Sequence, residues 1–288
     1  MKVAVTGANG RVGRYMIQEL LDHGYEVRAV TMEPWEESPV EQAQADVKDA
    51  QQVFQALSGC DAVIHLAAIP SPHGYSESHI FQNNTMGVFH VLHAAGELGM
   101  KRAAVASSDC AFGITFSFQE TKPVYLPMDE LHPVAPDNCY GMSKVVGEQI
   151  AEGMAKRYGM TIASLRITHV LEPKDYSSGW LTKIIDNPEA EPWNVWSYLD
   201  VRDCVRAFRL SIEKPFSGHE VFCIASSEQR TAIPSKELAS RFYPDAELRQ
   251  PFTGRESFLN CTKAKTMLGF EAQYLISHTA SDTKEEQE

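Results

Sequence analysis

Gly7, Gly10 and Gly13 span the junction of a β-rich run, Lys2–Thr6, and an amphipathic helical run, Val12–Leu21. This G-x-x-G-x-x-G spacing limits what the chain can fold into more than any other feature. Gly7 permits a tight turn, Gly10 lets the backbone approach a pyrophosphate, and Gly13 lets the following helix pack closely on a sheet. The helix start then offers free N–H groups and a partial positive charge to an anion. A glycine triplet alone is weak evidence. Between a strand and an amphipathic helix it predicts a dinucleotide-binding βαβ unit. The turn residues Asn9, Arg11 and Val12 join the three glycines as expected cofactor contacts.

The rhythm that follows supports this. Glu26–Val30 reads as a strand, Asp49–Leu57 as a helix and Ala62–Leu66 as a strand. Ile80–Leu98 reads as a helix ended by Gly99, Ala103–Ala106 as a strand, Tyr140–Tyr158 as a helix and Thr161–Leu165 as a strand. Such alternation predicts an α/β fold, a doubly wound parallel sheet with helices on both faces. The unbroken apolar runs VAV, AVI and AAVA suit strands buried on both sides.

After about residue 170 the rhythm changes, and prolines at 173, 188, 192, 215, 234, 244 and 251 cut the chain into short pieces. Val201–Ile212 still reads as a helix and Val221–Ala225 as a strand. Ser235–Phe242 and Thr262–Leu268 read as short helices, each opened by a capping residue. The expected organisation is a dinucleotide-binding domain over 1–170, with a returning segment at about 195–225. A small, mixed substrate lobe takes 171–194 and 226–280, and 281–288 is a frayed polar tail.

Composition narrows the function. The net charge of −12 repels phosphate backbones, which argues against nucleic-acid or anionic-membrane partners. No apolar run reaches the roughly 20 residues of a membrane-spanning helix. The first residues read as strand and turn rather than a signal peptide. Six cysteines lie scattered without a CxxC pair, and no His cluster has metal-ligand spacing, so neither a disulfide framework nor a metal site is expected. A reducing cytoplasm fits this usage.

The chemistry centres on Tyr140 and Lys144. A Y-x-x-x-K pair shares one helix face. It follows a strand ending in Ser107-Ser108, at the carboxyl edge where such sheets bind ligands. A phenol with a pKa of about 10 is a poor base at neutral pH, and a nearby ammonium favours its ionised form. Lys144 is read as that ammonium and as a partner of the nicotinamide ribose. Ser108 orients a substrate hydroxyl or carbonyl, and Tyr140 takes the hydroxyl proton as hydride leaves for the ring. Thr31 occupies the position where an acidic residue would hold the ribose hydroxyls of NAD. Arg11 is either a neutraliser of the 2′-phosphate of NADP or a solvated helix-start residue, so NAD and NADP both stay open.

These segments together resemble the extended short-chain dehydrogenase/reductase superfamily, in its NAD-dependent epimerase/dehydratase branch, whose dinucleotide domain is of Rossmann type. The resemblance rests on VTGANGRVG, on Asp46-Val47, on His65-Leu66-Ala67-Ala68 and on Asn84-Thr85-Met86-Gly87. It continues through Ser107-Ser108-Asp109-Cys110-Ala111-Phe112-Gly113, Tyr140 with Lys144, Leu165-Arg166-Ile167 and the Thr262–Gly269 helix. It implies Ser108, Tyr140 and Lys144 as the catalytic set. It also implies Asp46, Val47, Leu66, Ala67, Ala68, Asn84 and Ile167 as further cofactor contacts, and a homodimer through the two long helices.

Two departures stand out. Sugar dehydratases of the family carry an Asp-Glu pair where this chain has Asp109-Cys110, and nucleotide-sugar epimerases have Asn where it has His169. The short second lobe looks closer to uronate-dehydrogenase-like members, which act on free sugars. Ser71, His73, Asp109 and His169 are the expected substrate contacts, with Trp180 near the same mouth. Each of Ser71, His73, His169 and Trp180 reads equally as a loop residue. Cys110 and Cys139 flank the site without a partner for nucleophilic chemistry, and Trp193 and Trp196 are expected to fill the core between the lobes. The expected activity is hydride transfer between a sugar-type secondary alcohol and NAD or NADP. The alternatives are an epimerase that keeps its cofactor and a non-catalytic NAD(P)-binding regulator.

Overall fold

The computed structural model describes residues 1–190 and 192–276; the expected frayed tail lies outside them. The chain runs β1 (Lys2–Thr6), α1 (Arg11–Asp22), β2 (Glu26–Thr31), β3 (Glu41–Gln44), α2 (Ala50–Leu57), β4 (Ala62–His65) and α3 (Glu77–Glu97). It continues with β5 (Arg102–Ser108), β6 (Tyr125–Leu126), α4 (Cys139–Tyr158), β7 (Thr161–Ile167), β8 (Val170–Leu171), α5 (Gly179–Asp186) and β9 (Leu199–Asp200). Last come α6 (Val201–Glu213), β10 (His219–Ile224), α7 (Ser235–Phe242), β11 (Glu247–Leu248) and α8 (Thr262–Leu268).

Seven strands form one parallel sheet in the order β10-β7-β5-β4-β1-β2-β3. The order reverses between β1 and β4, and in such sheets the crevice at that reversal takes the ligand. Alternation along β1 sends Val3 and Val5 to one face and Ala4 to the other. The first face is covered by α1, α6 and α8 through Met16, Ile17, Leu20, Phe208 and Leu268. The second is covered by α2, α3 and α4 through Val53, Val91, Leu92 and Met154.

Several helix starts follow from local chemistry. Asp49 accepts the amides of Gln51 and Gln52, Ser76 accepts that of His79, and Asn138 accepts that of Gly141. Helix α1 differs: Gly10 precedes it and no side chain caps it. Its first amides are therefore left for a ligand.

The second half departs from its expected form in two ways. Helices α7 and α8 start after Pro234 and Cys261 without a side-chain cap. The Ser235 hydroxyl donates instead to the Glu256 carbonyl, 2.6 Å away, and Asn260 takes the Thr262 amide at 2.9 Å. Helix α8, expected in the small lobe, packs on the main core because Ala264 and Leu268 meet the α6 cluster. A separate core joins Phe112, Leu126, Met128, Trp196, Leu238 and Phe258. Strand β3 and helix α5 had no sequence forecast. Among the described residues no helix is long and apolar enough to cross a membrane.

Candidate active site

The glycine turn has no room for side chains. A Cβ on Gly13 would sit 2.2 Å from the Gly7 carbonyl oxygen and 2.6 Å from that of Ala8. Gly7 has φ +69°, and a Cβ there would meet Ala67 backbone at 2.9 Å. The turn and the chain leaving β4 therefore touch backbone to backbone.

A cavity opens on each side of this turn. The first, about 290 Å³, gathers Gly7, Asn9, Gly10, Asp46, Val47, Leu66, Ala67 and Ala68. The second, about 420 Å³, gathers Arg11, Val12, Ser108, Asp109, Tyr140, Ile167 and His169. A dinucleotide laid across the uncapped start of α1 fits this pair. Its pyrophosphate would meet the free amides, with one cavity for each nucleoside end. Asp46 is braced for the first cavity by the Lys48 amide on its carboxylate and by Gln52, each at 2.9 Å.

Several expected contacts lie elsewhere. Thr31 is buried at the end of β2, and its neighbours Val30 and Met32 line the first cavity instead. Arg11 faces the second cavity, where its guanidinium pairs with Glu172 and Asp175, each at 2.8 Å. It is thus not placed to neutralise a 2′-phosphate beside Met32. Asn84 is buried and clamps the chain after β4: its amide bonds both backbone groups of Ile69, at 2.9 and 3.0 Å, and the Ser143 hydroxyl at 3.2 Å. Among the described residues Ser71 bonds only within its loop, to His73. His73 reaches the site through an edge contact to Phe116, at 5.6 Å.

The reactive groups sit where β5 ends and α4 begins. The Asn138 cap fixes the first turn of α4, so Tyr140 and Lys144 stand one above the other, with the ammonium 5.3 Å from the ring centroid. Lys144 Nζ donates to the Ala106 carbonyl at 2.7 Å, and burial lowers its pKa to about 8. Burial drives the Tyr140 phenol well above its ordinary value; the neighbouring Cys110 and Asp109 add to this, and a bond with Ser108 opposes it. The expected lowering by Lys144 is not among these causes. Ser108 Oγ donates to Asp109 Oδ1 at 3.0 Å and accepts the Cys110 amide at 3.2 Å. Burial raises Asp109 to about 6 against the pull of those partners. Burial also pushes the Cys110 thiol well up, which disfavours a thiolate.

The cavity walls are aromatic. Phe116 stacks on Trp193 at 5.8 Å, and His169 stacks on Trp180 at 5.7 Å. Trp193, expected in the core, is 41% exposed and lines the cavity; Trp196 is the fully buried one. Arg230 Nη1 lies 3.1 Å from His169 Nδ1, and surrounding protein with Arg230 and Arg11 holds that imidazole below its ordinary pKa.

Sequence reasoning missed the support behind the site. Glu148 accepts Ser107 Oγ at 2.6 Å and pairs with Arg166 through two bonds, at 2.9 and 2.8 Å. The signal was present: Tyr140, Lys144 and Glu148 are spaced by four and share a helix face. Thr168 was missed too; it lines the second cavity, and its buried hydroxyl has no hydrogen-bond partner among the described residues.

A dinucleotide crevice with a Tyr/Lys helix at its edge defines a nucleotide-cofactor enzyme of α/β type. Residues 3–225 match the NAD dependent epimerase/dehydratase family, and the chain belongs to it. It is 30% identical over 237 residues to the L-arabinose 1-dehydrogenase (NAD(P)(+)) of Haloferax volcanii, covering 80% of this chain and 90% of that protein. It is 29% identical to the NAD-dependent glucose-6-phosphate dehydrogenase of the same organism, over 79% of this chain and 86% of the other. Among solved structures, a short-chain dehydrogenase/reductase superfamily protein from Agrobacterium tumefaciens with bound NAD superposes with a TM-score of 0.74. It shares 22% identity and is matched over the full length of both chains. The protein is accordingly an NAD(P)-dependent enzyme of the oxidoreductase/epimerase type, with the Rossmann-type sheet its sequence implied.

Proposed function

We propose that the protein is a dehydrogenase that oxidises a secondary alcohol of a free sugar. Tyr140, Ser108 and Lys144 form its working set. The observation that carries this reading is the convergence of the Tyr140 phenol and the Ser108 hydroxyl in one 420 Å³ cavity beside the cofactor turn, with the Lys144 ammonium next to the phenol. When bound, the nicotinamide accepts the hydride. Tyr140 and Ser108 bracket the substrate oxygen, and Tyr140 receives its proton. Lys144, anchored on Ala106, holds charge beside them.

The walls favour a sugar without a nucleotide. Phe116 and Trp193 offer flat apolar faces to the C–H side of a sugar ring. Arg11, a cation on the cavity wall, is paired with two carboxylates and so does not favour a diphosphate. The two relatives described above carry names of free-sugar and sugar-phosphate dehydrogenases. Exposed Phe81, Phe89, Met142 and Val146 on α3 and α4 support a homodimer through those helices. All six cysteines are free, which fits a reducing cytoplasm.

A panel of free, phosphorylated and nucleotide-linked sugars, read by stoichiometric NADH or NADPH formation, tests the proposal. A free aldose is expected to give one reduced cofactor per turnover. Isomerised sugar without net cofactor reduction identifies an epimerase. Cofactor binding with no turnover on any sugar identifies a regulator, and either result overturns the reading.

A further inference from the structure

Asp109 is a buried carboxyl that the Ser108, Tyr140 and Lys144 set leaves without a task. A serine hydroxyl has one proton and two lone pairs. In Ser108 the proton is given to Asp109 Oδ1, and one lone pair takes the Cys110 amide. One lone pair is left, on the side of the Tyr140 hydroxyl that bonds Ser108, and Ser108 lines the cavity. A substrate hydroxyl that takes the phenol's place there has a single way to bond Ser108, which is to donate its own proton. We propose that Ser108 and Asp109 form a second exit for that proton, parallel to Tyr140. The inference rests on the alcohol-oxidising reading of the site.

The step balances. The substrate C–H bond breaks and its electron pair goes as hydride to NAD(P)+. The substrate O–H proton passes to Ser108 Oγ, the proton Ser108 held passes to Asp109 Oδ1, and the carbon–oxygen bond becomes a carbonyl. Afterwards Ser108 accepts from Asp109 and from the Cys110 amide, and it donates to the new carbonyl. The reverse reaction starts from that arrangement, so reduction uses neutral Asp109 and oxidation uses the carboxylate. This agrees with the one proton released per alcohol oxidised.

The surroundings favour the exit. Thr115 Oγ1 holds the second carboxyl oxygen at 3.3 Å, and the Cys110 thiol lies 3.7 Å from the first. The titratable groups that act on this corner are Tyr140 and Cys110, with Lys144 further along α4. Arg166, from β7, is occupied by Glu148, and Arg11 and His169 stand on the same cavity wall. Asp109 has no cation partner among the described residues, so burial works against its charge and taking up a proton relieves that cost. Above about pH 6 the Asp109 carboxylate is ready to accept a proton.

The test is the pH dependence of kcat/KM for oxidation of L-arabinose, or of the aldose that turns over fastest in the panel. Wild type, Asp109→Asn and Tyr140→Phe are compared. The relay predicts a limb that rises tenfold per pH unit below the Asp109 pKa. Asp109→Asn removes that limb and lowers the neutral-pH plateau by roughly 100-fold. Tyr140→Phe lowers the rate but keeps the limb. A limb that survives Asp109→Asn and vanishes in Tyr140→Phe overturns the relay. NADH binding by fluorescence controls for folding of the variants. Should Asp109→Asn not fold, difference infrared spectroscopy of a wild-type turnover decides: a protonated carboxyl band must appear as NAD(P)+ is reduced, and its absence ends the proposal. Absence of turnover with every sugar in wild type is a different failure, that of the functional reading itself.

Discussion

Ser107 and Ser108 are neighbours on β5, and each gives its proton to a carboxylate, yet the two carboxylates sit in opposite settings. Strand alternation sends them to opposite faces. Ser107 meets Glu148, which is already held by Arg166 through two bonds, all of it buried. Ser108 meets Asp109, which among the described residues has only hydroxyl, thiol and amide partners and lines the cavity. Glu148 has a buried guanidinium bonded to it through two contacts, whereas Asp109 has no cation partner among the described residues, and burial raises its pKa to about 6. The partner cation distinguishes the structural Ser–carboxylate pair, a fixture, from the pair that the proposed relay uses.

The fixture gives the largest expected effect. Glu148→Ala leaves Arg166 buried without its carboxylate, and breaking such a pair costs about 3–5 kcal/mol. Urea unfolding should show that loss, with the midpoint moved and the slope unchanged. A loss under about 1 kcal/mol would mean that the pair does not hold β5, β7 and α4 together.

The reactive side should behave the other way. Tyr140→Phe is expected to lower kcat/KM by roughly 100- to 10,000-fold, the usual worth of acid–base catalysis, while unfolding stays within about 1 kcal/mol of wild type. Near-wild-type turnover would remove the phenol from the mechanism.

Asp109 should also reveal itself in stability against pH. Its folded pKa of about 6 lies above the ordinary 3.8. A raised carboxyl pKa contributes stability that is fully present below the unfolded value and lost as pH climbs through the folded one. Stability measured relative to Asp109→Asn should therefore fall between about pH 4 and pH 6, by roughly 3 kcal/mol in total. A flat difference across this window would show that Asp109 is solvated or already paired.

How much of this was legible depended on how local the signal was. The turn at Gly7–Gly13, the strands around Val3, Ile64 and Ala104, and the Tyr140–Lys144 spacing are written in runs of a few residues, and each reads out directly. Strand β3 is not, because EQAQ has no apolar face; it is an edge strand held by Lys2 and Arg28 on Glu41. Trp193 was misread because an aromatic in a proline-rich loop looks the same whether it fills a core or walls a cavity. Arg11 was open for a similar reason: its partners, Glu172 and Asp175, are more than 160 residues away. Asp109 was seen as a substrate contact. Its bond to Ser108 depends on how the chain turns after β5, which no spacing rule encodes.

Thr168 completes the series with a hydroxyl that has no carboxylate at all, and its expected effect is the smallest. It follows β7 and is 5% exposed, and its oxygen has no protein partner among the described residues. A buried hydroxyl left without a bond carries a desolvation cost of about 1–3 kcal/mol, and valine has nearly the same shape without it. Thr168→Val should thus leave stability unchanged or raise it by up to about 1 kcal/mol. If the bound sugar supplies the missing bond, the same variant raises KM by roughly 3- to 10-fold with kcat unchanged, since a uniform binding contact is removed. Destabilisation would mean that the hydroxyl is satisfied inside the protein. An unchanged KM would place the substrate away from the β7 end of the cavity and leave Ser108 and Tyr140 as the hydroxyls that meet it.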